Sequence, residues 1–214
     1  MKLYFFPVAP NPTKVRLYLA EKAHAGRAIE LEMIQVDLPK GEQRSDAHLA
    51  RNPFGKLPVL EADDGRTLTE SLTIIEHLEE LYPEPPMIGA EAWERARVRE
   101  IERIADIGAL MTIARIVHAT SSPLGLPPIP QVAAAGREQL LPTLRYLDDL
   151  LADGRAFLAG PRPTVADCTL AAGLQFGRLG KVFEETPLAP DHPALVRWDD
   201  RYRARDVAKS VLIV

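Results

Sequence analysis

The sequence predicts an α/β domain joined to an all-α domain. Three observations carry that expectation. Segments with strand period and segments with helix period alternate up to about residue 82. A proline-rich run, "YPEPPMIGAE", follows, and beyond it only helical spacing continues. The expected division is residues 1–81 for the first domain, 82–90 for the linker and 91–214 for the helical domain. A chain of 214 residues is long enough to bury a proper core.

The elements follow in order. Lys2 to Phe6 is apolar and aromatic, a short strand. Pro12 to Glu21 spaces Val15, Leu17, Leu19 and Ala20 as a helix does. In "AIELEMIQVDL", Ile29, Leu31 and Met33 alternate with Glu30 and Glu32, the pattern of a half-buried strand. A short helix is expected after it. "KLPVLEADDGRTLTE" predicts a hairpin, Val59 to Glu61 against Thr67 to Leu68, turned at Asp64-Gly65. "SLTIIEHLEELY" predicts a helix opening at Ser71. After the linker, helices are expected over Trp93 to Val117 and over Gln131 to Ala152, the latter bent at Pro142. Thr164 to Phe176, Pro193 to Arg203 and a short helix near Asp206 to Leu212 complete the series.

Composition narrows the function classes. Charge is balanced, 26 basic against 30 acidic residues for a net −4, which argues against a general nucleic-acid partner. The single cysteine, Cys168, excludes an intramolecular disulfide or a cysteine metal cluster and fits a reducing compartment. Each apolar run is broken by Lys, Arg or Glu before it reaches membrane-spanning length. The opening residues are expected to enter a strand directly, without a charged-then-apolar leader. A cytoplasmic protein with no membrane and no metal partner is the expectation.

Three stretches, "PNPTKVRLYLAEK", "NPFGKLPVLEADDGRTLTES" (Asn52 to Ser71) and "GPRPTVADCTLAAG", stand in an order and spacing that resemble the soluble glutathione S-transferase superfamily along essentially the whole chain. The resemblance implies a thioredoxin-like glutathione-binding domain and an all-helical domain supplying most of the second-substrate pocket. It also implies glutathione as co-substrate, a small electrophile as partner and a homodimer.

Each motif also has a physical reading. In "GKLPVL" the Leu57-Pro58 bond stands at a strand entrance, where an X-Pro bond can be cis; the resemblance implies that it is. Such a turn leaves the Leu57 N–H and C=O open to a peptide that adds like a short strand. The alternative is an ordinary turn with Pro first in its strand. At "TES", the Ser71 hydroxyl and the free N–H groups of the first helical turn make a carboxylate site, with Glu70 placed to meet an ammonium. Ser71 also suits a simple cap, and the two roles are compatible. Lys40 and Lys56 are candidates for the glycyl carboxylate of glutathione, although loop lysines are mostly solvated. "TVAD" is read as a capping box in which Thr164 and Asp167 serve folding. Cys168, on an apolar face, reads as a buried inert thiol, and Tyr4 as core.

The thiol-activating group is the open question. Members of the resembled family place Tyr, Ser or Cys on the first loop, whereas the serine-like position here is Ala9. Lowering a thiol pKa by about two units takes roughly 2.7 kcal/mol. A helix N-terminus supplies up to ~2 kcal/mol, and one charge-assisted hydrogen bond about 1.5–3 kcal/mol. One donor beside the helix start therefore suffices. Asn11 is one candidate, against the reading that it only forms a turn between Pro10 and Pro12. His118, late in a nearly all-apolar helix end, is the other, against the reading that it merely suits a helix C-terminus. Two alternatives to transfer onto electrophiles stay open: glutathione-dependent disulfide reduction, and a non-catalytic protein of the same fold. A CxxC mechanism of the chain's own is excluded.

Overall fold

The computed structural model describes residues 1–213. The first part contains β1 (Lys2–Phe5), α1 (Pro10–His24), β2 (Glu32–Gln35), α2 (Asp46–Arg51), β3 (Val59–Glu61), β4 (Thr67–Thr69) and α3 (Ser71–Leu81). The sheet order is β2-β1-β3-β4. β1 and β2 run parallel with Leu3 opposite Met33. β1–β3 and β3–β4 are antiparallel. This is the predicted order, with the short helix realised as a 3-10 turn at Glu42–Arg44 followed by α2.

Helices α4 (Ala92–Arg103), α5 (Met111–Thr120), α6 (Pro130–Leu151), α7 (Val165–Leu179), α8 (Val182–Glu185), α9 (Pro193–Ala204) and α10 (Asp206–Lys209) make up the rest. A mixed four-stranded sheet domain is thus joined to a helical one. Among the described residues no helix is long and apolar enough to cross a membrane.

Three details depart from the sequence expectation. α1 begins at Pro10 rather than Pro12, because proline tolerates the first helical turn, where an N–H would be unpaired anyway. The expected single helix from Trp93 to Val117 is interrupted by π-helical turns at Ile104–Leu110 between α4 and α5. Met33 is 42% exposed, since its inward-facing position lies on the edge strand where the core ends.

One core unites both parts. Leu3, Val15, Leu17 and Tyr18 pack with Ile74, Ile75 and Leu78, and the same cluster continues through Ile101, Leu110, Leu170 and Trp198. α7 is its axis, buried from Val165 to Gly177. There Gly173 lets the helix approach Leu110 so closely that a Cβ would sit 3.0 Å from the Leu110 Cα. α1 carries three fully buried charges, and each is paired. Lys14 meets Glu102 at 2.5 Å, Lys22 meets Glu79 at 2.5 Å, and Glu21 is held by Arg205. Lys22 also donates to the carbonyls of Tyr82 and Pro85, so α1 grips the segment that joins sheet to helices.

Candidate active site

The start of β3 and the start of α3 create a gap that the sheet itself does not fill. The β3–β4 register sets Val59 opposite Thr69, so Leu57 would stand opposite Ser71 if the ladder continued. Instead the chain turns into α3 at Ser71. The N–H and C=O of Leu57 consequently make no hydrogen bond among the described residues. The Leu57-Pro58 bond is cis. Glu70, between strand and helix, adopts φ 67° and ψ 118°, a conformation that non-glycine residues seldom accept.

A cleft of about 300 Å³ opens over this gap. Asn11, Lys56, Leu57, Pro58, Glu70 and Ser71 line it, together with Leu72 and Thr73 of the first α3 turn. The Ser71 hydroxyl donates to Asn11 Oδ1 across 3.0 Å, tying the α1 start to the α3 start. With Oδ1 so engaged, the Asn11 NH2 has no protein partner among the described residues and is available as a donor. No side chain among the described residues caps the N-terminus of α3, so its first N–H groups are open to an anion.

Two expected residues lie elsewhere. Lys40 is 76% exposed and its ammonium rests 2.9 Å from Asp37, outside the cleft lining. His118 lines a separate apolar hollow of about 100 Å³ with Phe6, Val8, Ala9, Pro10 and Phe176. Its Nδ1 is 2.9 Å from the Ser122 hydroxyl, and burial lowers its pKa. Because Pro10 lines the hollow and Asn11 lines the cleft, the two spaces adjoin at the α1 start.

Arg103 and Asp106 also line the cleft and were not singled out from sequence. Arg103 donates to Asp106 at 2.8 Å, and Lys14 approaches the same carboxylate at 3.7 Å from beneath. The π-helical turns shift the register of side chains at this point, a local change that helical periodicity does not reveal. Asn52, quoted within a motif but given no role, is buried and donates to the Lys56 carbonyl.

The structural motif is built as expected. Asp167 Oδ2 accepts from the Thr164 N–H and hydroxyl. Oδ1 accepts from the Leu158 N–H and the Trp198 indole. Cys168 is buried, and burial pushes its thiol pKa well up.

Sheet, open strand end and helical backing define a two-domain protein of the thioredoxin-like class with a polar cleft beside an apolar one. Residues 3–86 match the family model "Glutathione S-transferase, N-terminal domain", and residues 130–201 match "Glutathione S-transferase, C-terminal domain". Glutathione S-transferase theta-1 of Homo sapiens is 34% identical over 82% of this chain and 73% of its own length. Glutathione S-transferase 2 of Saccharomyces cerevisiae is 29% identical over 99% of this chain and 89% of its own. A solved glutathione S-transferase domain-containing protein of Marinobacter aquaeolei VT8 superposes with a TM-score of 0.86 at 33% identity, covering 97% of this chain and all of that one. The chain belongs to the glutathione S-transferase family and is a glutathione transferase.

Proposed function

We propose that this transferase binds glutathione in the polar cleft and adds its thiolate to small, uncharged electrophiles held in the apolar hollow. The observation that carries this reading is the juxtaposition at the cleft of an unpaired Leu57 N–H and C=O, the Ser71 hydroxyl and the free first turn of α3. The peptide part of glutathione adds to Leu57 as a strand would. Its γ-glutamyl carboxylate is received by the α3 N-terminus and by Ser71, whose hydroxyl proton turns to it from Asn11 Oδ1, and its ammonium is received by Glu70. Lys56 is assigned to the glycyl carboxylate. Lys40 would join it only after leaving Asp37.

The electrophile class follows from the second space. Apart from His118, every residue lining the hollow is apolar, and no cation there would compensate a carboxylate. The thiolate is stabilised by the N-terminus of α1 and the Asn11 amide, and His118 assists from the hollow side. In conjugation the thiolate sulfur forms a bond to carbon and the electrophile's leaving group departs with the electron pair. The residue boundaries 1–81, 82–90 and 91–214 describe the working division of labour, and the enzyme is proposed to act as a cytoplasmic homodimer.

The test is calorimetric titration of glutathione into the wild type and Ser71→Ala. Affinity should fall at least several-fold in the variant with unchanged circular dichroism. Equal affinity in both proteins would remove Ser71 from the site.

A further inference from the structure

We infer that His48, remote from the thiol and unassigned in the mechanism above, is a positioning residue that aims the Leu57 N–H into the cleft. This rests on the proposed strand-like docking of glutathione at Leu57. The starting observation is a single carbonyl with two donors. Lys56 C=O accepts from His48 Nε2 at 3.1 Å and from Asn52 Nδ2 at 3.0 Å. His48 and Asn52 are four residues apart, one turn along α2 and its C-terminal cap, so they converge on the same oxygen from one face.

The consequence is set by peptide geometry. The Lys56-Leu57 bond is not among the cis peptides, so its C=O and N–H point in opposite directions in one plane. With the Lys56 oxygen pulled toward α2, the Leu57 N–H is driven the other way. That N–H has no partner among the described residues, and Leu57 lines the cleft. Two donors occupy both lone pairs of the oxygen and fix the plane against rotation in a way one donor would not.

A further observation singles out His48 as more than filling. The residue is 3% exposed, and its Nδ1 is buried with no hydrogen-bond partner among the described residues. A carbonyl only accepts, so Nε2 carries a proton toward it, and Nδ1 is left without a partner in the interior among the described residues. An apolar residue would avoid that cost. What the imidazole supplies in return is the Nε2–H at the right reach. The turn is otherwise rigid. Asn52 Oδ1 accepts from the Phe54 N–H, and Gly55 at φ 60° leaves no room for a Cβ, which would lie 2.9 Å from the Gln43 carbonyl. The tilt of the 56–57 peptide is what His48 holds together with Asn52.

Three proteins test this: wild type, His48→Leu, which lacks the donor, and His48→Gln, whose side-chain amide can replace the Nε2–H. Two quantities are read: the glutathione KM and kcat, and hydrogen-exchange protection of the Leu57 amide with and without glutathione. KM in His48→Leu should rise about three- to tenfold, the weight of one neutral hydrogen bond. The change in kcat should be much smaller, and glutathione should no longer protect the Leu57 amide. His48→Gln should restore both. If His48→Leu does not fold, His48→Asn, polar but too short to reach the carbonyl, is read in its place. A variant without the donor that keeps wild-type KM and Leu57 protection overturns the inference. So does a loss that His48→Gln fails to restore. If glutathione binds the wild type yet leaves the Leu57 amide unprotected, the docking mode itself is wrong and the inference falls with it.

Discussion

At the residue scale, the site exchanges stability for geometry at Glu70. A non-glycine residue at φ 67° costs on the order of 1–3 kcal/mol. Glu70→Gly should therefore raise the unfolding free energy by about 1 kcal/mol while weakening glutathione binding, because the carboxylate is lost. Urea unfolding and calorimetry on the same variant check both halves; a variant that binds normally would leave the strain without a function. The thiolate assignment is tested one donor at a time. If Asn11 supplies one charge-assisted bond, Asn11→Ala should raise the pKa of the bound thiol by roughly one to two units. His118→Ala, titrated separately by ultraviolet absorbance of the thiolate, reports whether the ring on the hollow side contributes. Unmoved pKa values in both would leave the α1 terminus and backbone amides acting alone.

At the element scale, the N-terminus of α7 is held by one carboxylate. Asp167 is fully buried and accepts four hydrogen bonds from Thr164, Leu158 and Trp198, so it joins the α7 start, the preceding loop and α9. Asp167→Ala strands the Leu158 N–H and the Trp198 indole, and should cost about 3 kcal/mol or more, beyond an ordinary cap. Glutathione affinity of the folded fraction should stay near normal. The carboxyl also gives a pH signature. Burial raises its pKa from 3.8 to about 6, ahead of the opposing hydrogen bonds. A folded-state pKa above the unfolded value means the contribution is fully present below about pH 4 and is lost as pH rises through 6. The stability difference between wild type and the non-titrating Asp167→Asn should therefore shift against the wild type across that window. A flat difference would show that the carboxyl titrates normally.

At the scale of the whole molecule, buried ion pairs lock the sheet domain onto the helices. Lys14 is completely buried against Glu102, itself fully buried and bonded by Thr169, with Asp106 next to it at the cleft wall. Replacing the pair with matched apolar residues need not destabilise, but removing one partner leaves uncompensated charge. Lys14→Met is expected to cost about 3–5 kcal/mol, and adding Glu102→Gln should recover part of it. Strict additivity in a double-mutant cycle of urea midpoints would show that the two residues are not coupled.

The sequence by itself determined the layout of this protein. Alternation of periods up to residue 82, the Asp64-Gly65 turn and the Thr164–Asp167 box are local signals, and local backbone preference plus side-chain periodicity suffice to read them. It also marked Leu57, Glu70 and Ser71, because a proline at a strand entrance and a serine at a helix start are short-range patterns that the register of β3 and β4 then brings to one cleft. Tertiary structure decided the rest. That Asn11 reaches Ser71 while His118 turns to a different hollow depends on how α1, α3 and α5 pack, across 60 residues and more of chain. The same holds for the burial of Lys14, which reads as an ordinary surface lysine until Glu102 and Asp106 stand opposite it. Arg103 and Asp106 enter the cleft through a π-helical change of register that α-periodicity hides. Contacts within a turn or two are written in neighbouring residues; contacts between elements exist only once a shared core has fixed their distances.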